Sequence, residues 1–257
     1  MVDNYPDGAD ETGRLIALWE QLSSRKFVPR DGMQPSNAIQ IWTFAHHASR
    51  LSRAVLSLHG AGHDLEAMPL IRQTMECAMN AAWLLVTDDG GAALSAVDTK
   101  SRRIMFSEVT DLGLADLSDV RDRLDAEEAR NTQTVTHTRS FEERCKAIAG
   151  GPQIYAMYRT LSLYSHATSS VADVYLRADP EDAANPYGVA LLWHGDWDGA
   201  ESWIRVQALM LLLAQIAADD AQAKPMHRTQ LAKARRRLGV TWQIRRADGR
   251  GRNARTP

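Results

Sequence analysis

Apolar residues recur every three or four positions along most of the chain, which is the spacing of one face of an α-helix. We therefore predict an all-α fold, a helical bundle of about six to eight helices with a basic C-terminal tail. Four long helices, at about 37–59, 64–87, 153–171 and 199–221, are expected to form the core. We expect the helix at 153–171 to be the one around which the others are arranged.

Shorter amphipathic segments predict further helices at about 11–24, 92–112, 116–130, 141–149 and 227–238. We expect residues 1–10 to be disordered, residues 11–222 to form one helical domain, and residues 223–257 to form a basic helix and a flexible tail. Residues 189–194 fit either a brief strand or a buried connector, because the periodicity of so short an apolar run does not decide.

The predicted helix at 64–87 is apolar on almost every side, which is typical of a central helix. Its polar residues Arg72, Glu76 and Asn80 share one edge, with Arg72 and Glu76 one turn apart. A buried charge needs a partner, because leaving it unpaired costs several kcal/mol. Two interpretations follow: an internal ion pair that fixes helix register, or a set of side chains that lines a cavity together with His166.

The predicted helix at 153–171 places Tyr155, Arg159, Ser162 and His166 on one side, nearly opposite its apolar stripe. Solvated helix faces usually carry Lys, Glu and Ala, whereas these side chains suit a pocket or a partner surface. The alternative is structural, since a single His and a single Arg on an amphipathic helix often face solvent or pair locally. The pattern leaves both interpretations open.

Charge is distributed unevenly along the chain. From Lys224 onward there are eleven Lys and Arg residues and one acid, whereas positions 1–223 hold 31 acidic and 19 basic residues. A basic segment of this kind either attracts a polyanion or docks on the acidic body. In the first case we expect Arg235, Arg236 and Arg237 to contact nucleic acid.

Several chemical classes lack their sequence signals. The chain has no phosphate-binding glycine loop, no dinucleotide fingerprint, no zinc-protease motif and no Cys/His spacing that supports zinc, so we predict neither cofactor nor metal. Cys77 and Cys145 have no paired spacing and are expected to be buried thiols. The acidic N-terminus and the short apolar runs predict a cytoplasmic protein without a signal peptide or membrane span.

Two motifs carry a resemblance. Leu70-Ile71-Arg72-x-x-x-Glu76 in one helix and Tyr158-x-x-x-Ser162-x-x-x-His166 in a later one resemble an uncharacterised bacterial family of helical proteins, the domain of unknown function 5677, over about residues 40–215. More distantly, Arg159 and His166 resemble the R-x(4–6)-H pattern of the HEPN superfamily of helical domains, at its longest spacing.

The HEPN resemblance implies a function, because that superfamily includes metal-independent ribonucleases that act as dimers. It would make His166 the group that assists attack by a ribose 2′-hydroxyl and Arg159 the clamp on the phosphate. Tyr155, Tyr158 and Ser162 would support them, with Arg72, Glu76 and Asn80 from the other motif helix. The implied protein is a homodimer that cleaves or binds RNA in stress response or phage defence.

Two other functions stay open at this stage. A non-catalytic module of the same fold could bind a nucleotide, a small ligand or a protein partner. A small-molecule enzyme could use Glu76 and His166 as an acid/base pair, provided that the two side chains meet across helices. The sequence does not decide whether the protein is an enzyme.

Overall fold

The computed structural model describes residues 7–131, 140–179, 186–195, 197–241 and 243–249. These residues form ten helices and one two-stranded antiparallel sheet, which confirms the all-α class. The number of helices exceeds the predicted six to eight. The elements are α1 (Gly8–Ser23), α2 (Pro35–Gly60), α3 (Asp64–Val86), α4 (Gly90–Asp111), α5 (Ser118–Asn131), α6 (Phe141–Lys146), α7 (Gly151–Tyr164), α8 (Ser169–Val174), β1 (Leu176–Ala178), β2 (Val189–Leu191), α9 (Ala200–Asp220) and α10 (Arg228–Arg237).

Helix α3 lies at the centre of the bundle and packs on α2, α7 and α9. Its side chains are buried on nearly every side, as its apolar composition predicts. Gln207 of α9 is fully buried where three helices meet, and its amide donates to Ser52 of α2 at 2.5 Å and to Thr74 of α3 at 3.3 Å. The bundle is therefore arranged around α3, and the expectation that residues 153–171 form its organising helix is wrong.

The segment 153–171 is not one helix. Helix α7 ends at Tyr164, and α8 begins only at Ser169. Between them, the Ser165 hydroxyl donates to the Leu161 carbonyl at 2.8 Å and the Thr168 hydroxyl donates to the Leu163 carbonyl at 2.6 Å. Ser and Thr side chains that bond the backbone in this way compete with helix continuation.

Helix α1 begins earlier than predicted. The Asp7 side chain caps it by accepting a hydrogen bond of 2.8 Å from the Ala9 amide. Residues 8–10, which were expected to be disordered, are therefore helical, whereas residues 1–6 lie outside the described residues.

Of the two alternatives for residues 189–194, the brief strand is observed. Strand β2 pairs antiparallel with β1, so that Leu191 lies opposite Leu176. The connector is not buried, since Trp193 is 91% exposed.

The basic C-terminal segment docks on the body. Arg237 of α10 binds the buried Glu11 carboxylate of α1 with two hydrogen bonds of 2.6 Å. Further along, the main chain pairs with the α6–α7 connection: the Ala149 amide donates to the Arg245 carbonyl and the Ala247 amide donates to the Ala147 carbonyl, each at 3.0 Å. The docking alternative therefore describes this segment as far as residue 249.

None of the helices within the described ranges combines the length and the apolarity that crossing a bilayer requires.

Candidate functional site

The two motif helices, α3 and α7, lie side by side and are joined by a polar network. The Arg72 guanidinium donates to the Ser162 hydroxyl at 3.2 Å and also to the Tyr158 hydroxyl. The Tyr158 hydroxyl donates to the Glu76 carboxylate at 2.8 Å, and Arg72 lies 3.3 Å from the same carboxylate. Arg72 also stands over the Tyr158 ring, 4.4 Å from its centroid. Four predicted site residues thus form one connected group.

This geometry bears on the two interpretations of Arg72 and Glu76. The side chains of both are about three-quarters buried, and each satisfies the other's charge. The ion-pair interpretation therefore describes what the structure contains, and Tyr158 and Ser162 extend the pair to a second helix. No hydrogen bond joins Glu76 to His166 among the described residues, so the proposed acid/base pair is not formed here.

The electrostatic setting of Tyr158 keeps its phenol protonated. Burial, the hydrogen bond to Glu76 and the negative charge of that carboxylate together raise the pKa of Tyr158 to about 12. At neutral pH the side chain is therefore a hydrogen-bond donor to Glu76. It is not available as a phenolate base or nucleophile.

A rim of aromatic and basic side chains borders this network. The Phe141 ring of α6 lies 4.4 Å from the Tyr158 ring, and Tyr155 stacks on Tyr158 at 6.0 Å between centroids. Arg144 of α6 donates to the Asn80 amide oxygen at 2.9 Å and lies 5.7 Å from the Phe141 ring. Arg144 of α6 thus connects Asn80 to the site.

Sequence reasoning did not single out Phe141 or Arg144. One local signal was present: Ser140 and Glu143 form a capping box at the start of α6, in which each side chain bonds the other residue's backbone amide. The box predicts a helix start there. The spacing along the chain gives no sign that α6 turns back onto α3.

Two glycines allow the tight connection between α6 and α7. Gly150 adopts a left-handed conformation with φ of 80°. At Gly151, a Cβ atom would lie 1.8 Å from the Cys145 carbonyl oxygen, so a side chain does not fit. This close approach fixes where α7 begins and therefore where Tyr155 and Tyr158 stand relative to α6.

The predicted catalytic pair lies on the surface. Arg159 is exposed on α7, and His166 is exposed on the bend between α7 and α8. Neither side chain makes a hydrogen bond or an ion pair within the part of the chain that the structure describes. Because the helix ends before His166, the expected stacking of the two residues on one helix face is wrong.

One acid lies close to this surface. Lys146 binds the Glu142 carboxylate at 2.5 Å. Together with smaller effects of Tyr155 and Arg159, Lys146 lowers the pKa of Glu142. Glu142 also attracts the Arg159 guanidinium, so this carboxylate borders the surface on which Arg159 is exposed.

The three consecutive arginines of α10 differ in their surroundings. Arg237 is held by Glu11, and Arg235 donates to the Thr241 carbonyl at 3.0 Å. Arg236 is exposed. Their contact with nucleic acid stays a prediction. Within the described ranges, no group of three or more His, Cys, Asp or Glu side chains is arranged to hold a metal ion.

A comparison with known protein families identifies the family of this chain. The sequence model of the family of unknown function DUF5677 matches residues 41–184, which is more than half of the chain and contains both motif helices. The chain belongs to this family. No curated protein matches this DUF5677 protein, and no solved structure matches it either. The HEPN likeness drawn from Arg159 and His166 receives no support from these comparisons.

Proposed function

We propose that this DUF5677 protein binds single-stranded RNA on a surface formed by α6, α7 and the docked C-terminal segment. We call it the α6–α7 surface and define it by Phe141, Tyr155, Arg159 and Arg245. The observation that carries the proposal is the combination of partly exposed aromatic rings with exposed arginines on adjoining elements. Single-stranded RNA is commonly bound by aromatic rings that stack with bases and by cations along the backbone.

The stacking role falls to Tyr155. Its ring is partly exposed and is supported from behind by Phe141 and Tyr158, which hold it in a defined orientation. A supported ring loses little conformational freedom when a base stacks on it. Such stacking contributes about 1–3 kcal/mol per base and accepts any base, so we propose binding with little sequence preference.

The phosphate role falls to Arg159 and Arg245. The Arg245 carbonyl is held next to the start of α7 by the Ala149 amide, and the Arg245 side chain remains exposed. The basic segment docks through the main chain of Arg245, whereas a polyanion would bind the Arg245 side chain. Docking and polyanion binding are therefore compatible. Each arginine that neutralises a phosphate releases counterions, which makes the affinity dependent on salt.

RNA cleavage is the second candidate. It assigns His166 to assist attack by a ribose 2′-hydroxyl and Arg159 to clamp the phosphate, in a homodimer that needs no metal. Both side chains are exposed and could reach a bound strand. Binding is favoured over cleavage because His166 has no side-chain partner among the described residues to orient its ring.

A role in cytoplasmic stress response or phage defence belongs to this same proposal. A non-catalytic module that binds a nucleotide, a small ligand or a protein partner is the alternative if RNA does not bind. Arg236 and its neighbours on α10 would then have no nucleic-acid role.

Fluorescence anisotropy with a labelled 12-nucleotide single-stranded RNA tests binding. We expect Tyr155→Ala to weaken affinity by about tenfold without changing its salt dependence. Arg159→Gln and Arg245→Gln are each expected to reduce the slope of log K against log salt by about 0.7. Arg50→Gln is the matched control, since Arg50 is exposed on α2, which packs on α1, α3, α4 and α9.

Two results would count against binding at this surface: no RNA bound by the wild type at low salt, or equal weakening by Arg50→Gln and Arg159→Gln. Cleavage is tested separately with a mixed RNA pool in EDTA. Cutting by the wild type that disappears in His166→Ala would establish the metal-independent ribonuclease. Equal cutting by both proteins would exclude His166 from the reaction.

A further inference from the structure

A groove of about 350 Å³ runs between α1 and α10 and contains no residue of the α6–α7 surface. The two helices are antiparallel along it. Arg237 at the end of α10 pairs with Glu11 near the start of α1, whereas Arg25, just beyond α1, contacts Met226, just before α10, at 3.8 Å. The groove therefore has two ends of different character.

The end near Glu11 is cationic. Glu11 is fully buried, and its carboxylate is shared by Arg237, with two bonds of 2.6 Å, and Arg14, at 3.1 Å. Asp10, which lies outside the groove lining, also pairs with Arg14 at 3.5 Å, whereas the exposed Lys233 lines the groove without an ion-pair partner among the described residues. The lining thus holds three cations and one anion, which favours an anionic ligand.

The same carboxylate gives the cationic end a fixed geometry. An arginine whose guanidinium is held by two hydrogen bonds on one side has little rotational freedom left. It presents its remaining N–H groups without a further entropic cost when an anion arrives. Glu11 therefore fixes the orientation of Arg237, whereas it holds Arg14 by a single hydrogen bond.

The rest of the groove is not simply basic. Its apolar lining is the partly exposed Leu18 above the buried Leu15 and Ala234, and the end away from Glu11 carries the amides of Gln21 and Gln230. A flat apolar body fits such a lining, and primary amides match the paired donor and acceptor groups on the edge of a nucleobase. A volume of 350 Å³ lies within the ordinary range of small-ligand sites.

We propose that this groove binds a mononucleotide, with its phosphate on Lys233 and Arg14 and its base over Leu15 and Leu18 towards Gln21. The proposal does not depend on RNA binding at the α6–α7 surface. It adds a second ligand class at a second place on the molecule.

Isothermal titration calorimetry of the full chain with adenosine 5′-monophosphate, and separately with inorganic phosphate, tests the proposal. We expect the nucleotide to bind with a Kd of about 1 mM or tighter and phosphate to bind at least about tenfold more weakly. Lys233→Ala is expected to weaken nucleotide binding by about tenfold, because it removes one charged hydrogen bond. Lys100→Ala is the control, since Lys100 is exposed on α4, outside the groove.

A second variant tests whether the shape of the groove matters, without changing its charge. Ala17 is exposed at the groove, so Ala17→Trp fills the space without removing any charge or any core side chain. We expect it to abolish nucleotide binding while leaving the thermal midpoint and the RNA affinity unchanged. Absence of nucleotide binding by the wild type, binding that both variants retain, or phosphate binding as tight as nucleotide binding would each overturn the proposal.

Discussion

The hydroxyl of Tyr158 on α7 donates a hydrogen bond of 2.8 Å to the carboxylate of Glu76 on α3 and accepts one from Arg72 on the same helix as Glu76. One phenol thereby joins both members of an ion pair to a neighbouring helix. Because the donor and acceptor sites of the hydroxyl are both used, a shift of either helix along its axis breaks two bonds. The contact fixes the register of α7 on α3.

Tyr158→Phe removes this hydroxyl and keeps the ring. Partly buried charges on Arg72 and Glu76 then each lose a partner, and we expect the free energy of unfolding to fall by about 1–2 kcal/mol. Urea denaturation measures the change. Tyr164→Phe is the matched control on the same helix, because the Tyr164 hydroxyl has no hydrogen-bond partner in the described ranges. Equal losses in the two variants would contradict the role of the hydroxyl.

The same bond predicts how stability changes with pH. The pKa of Tyr158 rises from 10 to about 12 on folding, so the folded state holds this proton more tightly than the unfolded state. The stabilisation is complete below pH 10 and is lost as pH rises towards 12. We expect the difference in unfolding free energy between the wild type and Tyr158→Phe to shrink above about pH 10.

Other groups titrate in the same direction without disturbing this comparison. The pKa values of Cys77 and Cys145 are raised to about 12, mainly by burial, and that of Tyr175 to about 12 by its bond to Glu66. They are present in both proteins and cancel in the difference. A difference that stays constant from about pH 8 to about pH 11 would show that the phenol is not the titrating group.

The ion pair of Glu11 with Arg237 predicts an asymmetric effect of substitution. Glu11 is fully buried, whereas the Arg237 side chain is 39% exposed and can be hydrated. Arg237→Gln leaves a buried carboxylate with only Arg14 and is expected to cost about 3 kcal/mol of unfolding free energy. Glu11→Gln leaves an arginine that reaches water and is expected to cost about 1–2 kcal/mol.

Chemical denaturation of both variants tests this order, with Arg236→Gln on the exposed side of α10 as the control. We expect the control to change the unfolding free energy by less than about 0.5 kcal/mol. A larger loss for Glu11→Gln than for Arg237→Gln would mean that packing, and not the buried charge, dominates this contact.

The tight connection at Gly151, before α7, predicts that a single added methyl group lowers stability strongly. Gly151→Ala places a Cβ 1.8 Å from the Cys145 carbonyl oxygen, so α6 has to move, and we expect a loss of about 3 kcal/mol. Gly60→Ala is the control, because Gly60 ends α2 in open space and an alanine there favours the helix. Near-ultraviolet circular dichroism of Gly151→Ala should also show a changed environment of Tyr155 and Phe141. Unchanged stability would contradict the close approach.

Much of the fold could be predicted because the long helices carry strong periodicity and clear ends. Helix α3 was predicted at 64–87 and is observed at Asp64–Val86, and helix α9 was predicted at 199–221 and is observed at Ala200–Asp220. The break after Tyr164 was missed, because the apolar stripe continues into α8 and hides the Ser and Thr side chains that bond the backbone.

The site was only partly predictable for a related reason. Helix geometry alone put Arg72 and Glu76 on one edge, and the motifs drew attention to Tyr158 and Ser162. The contribution of Arg144 depends on how α6 turns back across α3, which involves contacts between residues 64 positions apart. Spacing along one helix carries no information about such a contact.

The contact between Glu11 and Arg237 joins residues 226 positions apart, so α1 and α10 come from nearly opposite ends of the chain. During synthesis α1 emerges with an acid that meets its main partner only when α10 has been made. The bundle can therefore collapse around α3 early, while its final closure depends on the arrival of α10. Chains that stop before α10 leave the groove side of α1 uncovered, and we expect a protease to cut α1 in them faster than in chains that include α10.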